Sequence, residues 1–204
     1  MKRPAWAVIP AKSLVRGKSR LRPVLADNER FRFAQWLLEH VLEVLRDCEL
    51  DGVLVATDGA EVAELAQARG AQVLRDLEQA SLATILDRAL SEVAARGARS
   101  AIVLMADLPR IQPSDIRSLL TELEEHDVVL ACDHRRRHTN ALAIAPPTAI
   151  KTCFGKEDSF VAHCAAARDA GLRLLIVDNE RIAFDIDGPT DHLGLMRPPP
   201  DAET

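Results

Sequence analysis

Over the first 125 residues, short apolar runs alternate with longer amphipathic segments, and this alternation constrains the fold more than any single motif. Trp6-Ala7-Val8-Ile9, Val53-Leu54-Val55-Ala56-Thr57, Ala71-Gln72-Val73-Leu74 and Ala101-Ile102-Val103-Leu104-Met105 have the length and composition of strands. Between the first two, residues 28–47 repeat apolar positions at helical spacing, so Phe31, Phe33, Ala34, Leu37, Leu38, Val41, Val44 and Leu45 share one broad face. Residues 60–69 and 81–96 read as the next helices, with Gly70 and Gly97 as stops, and another helix opens near Pro113-Ser114-Asp115. Parallel strands need a long crossover, which a helix supplies. The pattern therefore predicts an α/β fold, a mostly parallel sheet with helices on both faces. Residues 128–131, 141–144 and 174–177 are later strands, and a helix is expected over 160–170, ahead of Gly171.

A chain of 204 residues, 48% of them hydrophobic, suits one domain with a sizeable core. With no internal repeat or linker, one domain is expected over 1–195, followed by a flexible proline-rich tail at 196–204. The net charge of -5 argues against a general nucleic-acid binder. Cysteines at 48, 132, 153 and 164 spell neither a zinc knuckle nor a secreted disulfide framework. No charged leader precedes an apolar stretch, and no apolar run is long enough to span a bilayer, so a soluble, cytoplasmic protein without a membrane partner is expected. Trp6 and Trp36 are expected to be packing residues, and Cys132, Cys153 and Cys164 core or near-surface thiols.

In open α/β sheets, ligands bind beyond the carboxyl ends of the strands at a topological switch point. Three segments fall at such ends. The loop from Pro10 to Leu21 carries Lys12, Arg16, Lys18 and Arg20 with the hydroxyls of Ser13 and Ser19. Cations and free amides suit a polyphosphate, although the Walker spacing is absent and a solvated basic loop is the plain alternative. Asp107 directly follows the run 101–106, where an aspartate can also serve only as a turn former. In Phe184-Asp185-Ile186-Asp187-Gly188-Pro189, an extended backbone would point Asp185 and Asp187 to one side and Ile186 to the other. A solvated turn before Pro189 is the alternative there. Three converging carboxylates make a seat for an oxygen-loving cation such as Mg2+. Neither a G-x-G-x-x-G turn after the first strand nor a nucleophile elbow is present, which disfavours dinucleotide oxidoreduction and acyl transfer. A cationic loop opposite carboxylates fits transfer at phosphorus, where positioning and charge neutralisation supply most of the rate and the substrate itself brings the nucleophile.

Five short stretches occur in one order along nearly the whole chain: Ile9-Pro10-x-Lys12 with Lys18-Ser19-Arg20-Leu21; Ala106-Asp107-Leu108-Pro109; Thr139-Asn140-Ala141-Leu142; Phe154-Gly155 with Ser159-Phe160-x-x-His163; and Asp185-Ile186-Asp187-x-Pro189-x-Asp191. In these the chain resembles the 2-phospho-L-lactate guanylyltransferase family of deazaflavin coenzyme biosynthesis, which includes phosphoenolpyruvate and 3-phospho-D-glycerate guanylyltransferases. The resemblance implies a single-domain nucleotidyltransferase fold of the nucleotide-diphospho-sugar transferase type. It implies transfer of GMP from GTP to the phosphate of a small phosphorylated carboxylic acid, with release of pyrophosphate. By the same resemblance, Asp107, Asp185 and Asp187 would hold Mg2+. Pro10, Lys12, Ser13, Lys18, Arg20 and Ser81 would contact the nucleotide, and Thr139, Asn140, Gly155 and Ser159 the acid, with Lys12, Lys18 and Asp107 the catalytic groups.

The chain departs from the family pattern in three places. Ser81-Leu82-Ala83-Thr84 stands where a Gly-Leu-Asn-like stretch is expected to read the nucleotide. Arg135-Arg136-Arg137-His138 replaces glycines before Thr139, and three residues rather than two separate Gly155 from Ser159. The arginines either add contacts to a more anionic acid or line a solvated loop. His163, four residues after Ser159, shares its helical face and is expected to hold the helix start against the core rather than to act in catalysis. Three alternatives remain: transfer to a sugar phosphate or a molybdenum-cofactor precursor, a non-catalytic nucleotide-binding domain, and a structural interaction module. A homodimer is left open.

Overall fold

The computed structural model describes residues 4–76 and 80–195, so the tail expected at 196–204 lies outside the described residues. The chain runs β1 (Ala5–Pro10), a 3-10 turn (Ser19–Leu21), α1 (Asp27–Arg46), β2 (Gly52–Thr57), α2 (Ala60–Ala68), β3 (Gln72–Arg75) and α3 (Leu82–Ala95). It continues through β4 (Ser100–Leu104), α4 (Pro113–Glu122), β5 (Val128–Cys132), β6 (Thr139–Ile144), α5 (Ser159–Asp169), β7 (Leu174–Ile176), α6 (Glu180–Ala183) and α7 (Pro189–Leu195). The strands form one seven-stranded sheet in the order β3-β2-β1-β4-β6-β5-β7.

Among the described residues, only β6 runs antiparallel to its neighbours. The cause is local: β5 and β6 are joined by residues 133–138, too few for the crossover a parallel pair needs. Every residue of β1, β4, β5 and β6 is buried, which explains why the sequence shows continuous apolar runs there instead of alternation. One face of the sheet packs against α1, α2 and α4 through Leu38, Val41, Val62, Ile116 and Leu119. The other packs against α3 and α5 through Leu86, Leu90, Val93, Phe160 and Cys164. A third, smaller cluster joins Leu21, Leu37 and Ile186, and it ties the basic loop to the distant acidic segment.

Trp6 is buried over Gly52, where an added Cβ would lie 2.6 Å from the indole. Trp36 packs on the outside of α1: it is 43% exposed and stacks between Phe33 and His40, at 5.8 and 6.0 Å. Further round the helix, Leu37 and Leu38 already fill the available interior. Residues 184–188 join no strand. Their placement comes from the buried Ile186 and from its N–H, which donates to the Asp107 carbonyl at 3.2 Å.

Candidate active site

The sheet order reverses at β1: the chain winds outward through β2 and β3, then returns to β4 on the other side. The crevice beyond the carboxyl ends of β1 and β4 is therefore the switch point. Pro10 ends β1 there, and Asp107 follows β4.

The basic loop is held in shape by acids that the sequence did not single out. The Ser13 N–H donates to Asp58 Oδ1 at 2.8 Å, the Ser13 hydroxyl donates to Glu61, and the Leu14 N–H donates to Glu61 Oε1 at 2.8 Å. Ser13 is thus buried with both donors engaged, and it anchors the loop rather than presenting a free hydroxyl. Gly59 permits this approach, since a Cβ there would lie 2.8 Å from the Ser13 Cα. The signal in the sequence was Asp58-Gly59 at the end of β2. Arg16 pairs with Asp58, while Lys12 is exposed and makes no hydrogen bond or ion pair among the described residues.

Lys18 has left-handed backbone geometry, with φ 51°, and this turns its side chain inward. Its ammonium donates to Asp107 Oδ2 at 2.7 Å and to the Ile186 carbonyl at 2.6 Å. One lysine thereby joins three segments that lie up to 168 residues apart. Arg20 reaches Asp187 at 3.1 Å on the exposed rim. Asp185 is buried, and its carboxyl is pushed up to about 6, first by burial and then by the negative charges of Asp107 and Asp187, against a hydrogen bond from Asn140. Asp107 and Asp187 are therefore both within electrostatic reach of Asp185. As they stand, no three acidic, His or Cys side chains among the described residues close on a common point for a metal. Two features nevertheless fit a cation. Lys18 already places a positive charge among these acids, and the buried Asp107 Oδ1 has no hydrogen-bond partner. An all-oxygen donor set of this kind suits Mg2+.

Beside this group lies a second cluster, built on β6 and α5. The Thr139 N–H donates to Ser159 Oγ at 3.1 Å, and Thr139 Oγ1 lies 2.9 Å from His163 Nδ1. The Cys153 N–H donates to His163 Nε2 at 2.7 Å, and Phe154 meets the imidazole edge-on at 4.6 Å. Burial pushes His163 down to about 4, against a hydrogen bond to the Ser159 backbone and with Lys156 adding to the fall, so the ring is neutral near pH 7. Gly155 is exposed at φ 84°, and a Cβ there would lie 3.3 Å from the Leu82 Cβ. The loop bearing Gly155 thus abuts the 81–84 stretch, where Ser81 caps α3 by accepting the Thr84 N–H at 3.2 Å. Asn140 is turned inward: its amide donates to the Ile182 carbonyl at 2.9 Å and brackets the segment leading to Asp185.

The three arginines of the β5–β6 loop separate. Arg136 pairs with Asp178, and Arg137 with Glu157 and Asp158. Arg135 is exposed with no partner among the described residues. An open groove of about 520 Å³ runs along α3 between Leu74, Thr84, Asp87 and Lys151, and none of the three carboxylates lines it.

A doubly wound sheet with one reversed strand, carrying a basic loop, three acids and a hydroxyl cluster at its switch point, defines a nucleotidyltransferase. The fold is that of a protein from Desulfovibrio desulfuricans G20 assigned as a nucleotide-diphospho-sugar transferase, which aligns with 98% of this chain and 89% of its own at a TM-score of 0.81 and 14% identity. The profile described as "Guanylyl transferase CofC like" matches residues 5–200, and the chain belongs to that family. It is 39% identical to a phosphoenolpyruvate guanylyltransferase of Sphaerobacter thermophilus, over 91% of this chain and 89% of the relative. It is 32% identical to a 2-phospho-L-lactate guanylyltransferase of Methanosarcina acetivorans, over 93% and 85% respectively.

Proposed function

We propose that this protein transfers GMP from GTP to the phosphate of phosphoenolpyruvate or a closely related phospho-acid, releasing pyrophosphate, as a cytoplasmic step in deazaflavin coenzyme biosynthesis. The observation that carries the reading is Lys18, held between Asp107 and the Ile186 carbonyl at the switch point of the sheet. It gathers into one crevice the basic loop and the acids that two approaching polyanions require. Phosphoenolpyruvate is placed first because the relative of that name shares 39% identity, against 32% for the phospholactate enzyme.

In this reading Lys12 and Arg20, both exposed at the mouth, neutralise the triphosphate as it enters. Asp107, Asp185 and Asp187 would hold Mg2+, which would offset phosphate charge. Thr139, Ser159 and the Gly155 loop seat the acid. An oxygen of the acid's phosphate attacks the α-phosphorus, the bond to the β-phosphate oxygen breaks, and pyrophosphate departs on the opposite side. That oxygen is already ionised near neutral pH, so the protein needs no general base, consistent with a His163 that is buried and neutral.

Pyrophosphate release with GTP, Mg2+ and each of phosphoenolpyruvate, 3-phospho-D-glycerate and 2-phospho-L-lactate tests this. Turnover with at least one acid, fastest with phosphoenolpyruvate, is expected. Folded protein that binds GTP yet is silent with all three would instead favour a non-catalytic nucleotide-binding domain.

A further inference from the structure

We infer that His163 is a positioning residue that fixes the Thr139 hydroxyl as a hydrogen-bond donor toward the anionic acceptor; the inference rests on the function proposed above. Nε2 of His163 accepts the Cys153 N–H at 2.7 Å, so that nitrogen carries no proton. A neutral imidazole then has its proton on Nδ1. Nδ1 lies 2.9 Å from Thr139 Oγ1 and its proton is shared with the Ser159 backbone carbonyl, so Nδ1 cannot accept from the hydroxyl, whose own proton is directed elsewhere. Ser159 Oγ likewise accepts the Thr139 N–H, which leaves the Ser159 proton free as well. No protein acceptor for either hydroxyl proton is found among the described residues, although Thr139 and Ser159 are 2% and 3% exposed.

Two buried hydroxyls with their protons outstanding form a donor pair suited to phosphate or carboxylate oxygens. The opposite tautomer would make Nδ1 an acceptor and draw the Thr139 proton inward, turning a lone pair toward the anion. The ring is rigidly set: His163 is fully buried and wedged edge-on against Phe154. It also links the segments around the acid, at Thr139, at Cys153 and at the Ser159 backbone one turn earlier in α5. A change at His163 therefore acts on the acceptor through Thr139 without touching it.

Two measurements test this. Long-range 1H–15N spectra of the wild-type ring are expected to show the Nδ1–H tautomer, uncharged from pH 6 to 8. Steady-state kinetics of H163Q and H163N then separate polarity from packing. In H163Q the glutamine carbonyl, at the Nε2 position, can still accept the Cys153 N–H, which leaves no donor at the Nδ1 position that faces Thr139. In H163N the shorter asparagine amide can donate to Thr139. H163Q is expected to raise the KM for the acid on the order of tenfold or more, with the KM for GTP within about twofold of wild type. H163N is expected to recover most of that loss despite a lower melting temperature. An Nε2–H ring in an active wild-type enzyme, or equal rises in both KM values with no recovery in H163N, would overturn this inference alone. A wild-type protein inactive with every acid would overturn the proposed function together with it.

Discussion

At the residue scale, the acids of the crevice differ in what each contributes to stability, and this makes their roles separable. Asp187 is half-exposed and its carboxylate pairs with Arg20 on the rim, an arrangement worth little to folding. Replacing it with alanine is expected to leave the melting temperature within about 2 °C of wild type while lowering kcat/KM on the order of 100-fold or more. Near-normal turnover would remove Asp187 from the metal site. Asp185 behaves differently. Its folded pKa, about 6, is raised above the ordinary value of 3.8. The stability linked to this group is therefore complete below about pH 4 and is lost as pH rises through 6. Asp185→Asn is expected to match wild type at pH 4 and to exceed it at pH 8 by on the order of 1–3 kcal/mol without metal. The same substitution is expected to abolish any rise in melting temperature on adding Mg2+. Urea melts at the two pH values, with and without Mg2+, check both outcomes.

At the scale of elements, each strand and helix expected from periodicity is present, with ends displaced by a residue or two. Apolar spacing records burial, and burial is what a strand or helix face must achieve. The site was legible wherever loops follow strands, as at Pro10 and Asp107, because chain order fixes those positions. It was not legible where tertiary contacts decide. Ile186, rather than strand pairing, places the acidic pair, and the positive φ of Lys18 turns a side chain expected on the triphosphate toward Asp107. Glu61 was silent because an acid that holds a loop leaves no periodic trace, and Asp58-Gly59 marked only the end of β2. The loop between β6 and α5 offers a test of geometry over chemistry. Gly155→Ala must adopt φ near 84° and press on Leu82, at a cost of about 1–2 kcal/mol. A lower melting temperature and a raised KM for the acid are expected. An unchanged acid KM in folded protein would free this loop from acceptor binding.

At the scale of the whole molecule, two buried groups make contributions to stability of opposite sign over nearly the same pH window. His163 has a folded pKa depressed to about 4 from an ordinary 6.5, so the unfolded chain binds the extra proton first. Its contribution is complete above about pH 6.5 and is lost as pH falls toward 4, for a total on the order of 3 kcal/mol. Asp185 opposes it by withdrawing stability as pH rises through 6. Their windows, from about 4 to 6.5 and from 3.8 to about 6, nearly coincide, so the two contributions largely cancel and these groups leave the metal-free protein with little change in stability across that range. A divalent cation neutralises the crowding around Asp185 and leaves the buried imidazole untouched, since His163 belongs to the hydroxyl cluster and not to the acids. Saturating Mg2+ is therefore expected to raise the melting temperature at pH 8 and to leave it unchanged at pH 4.5, tilting the stability profile toward the alkaline side. Calorimetric scans across pH 4–9 read the effect directly. A uniform gain at every pH would show that the cation binds away from Asp185, and the three-carboxylate site would have to be abandoned.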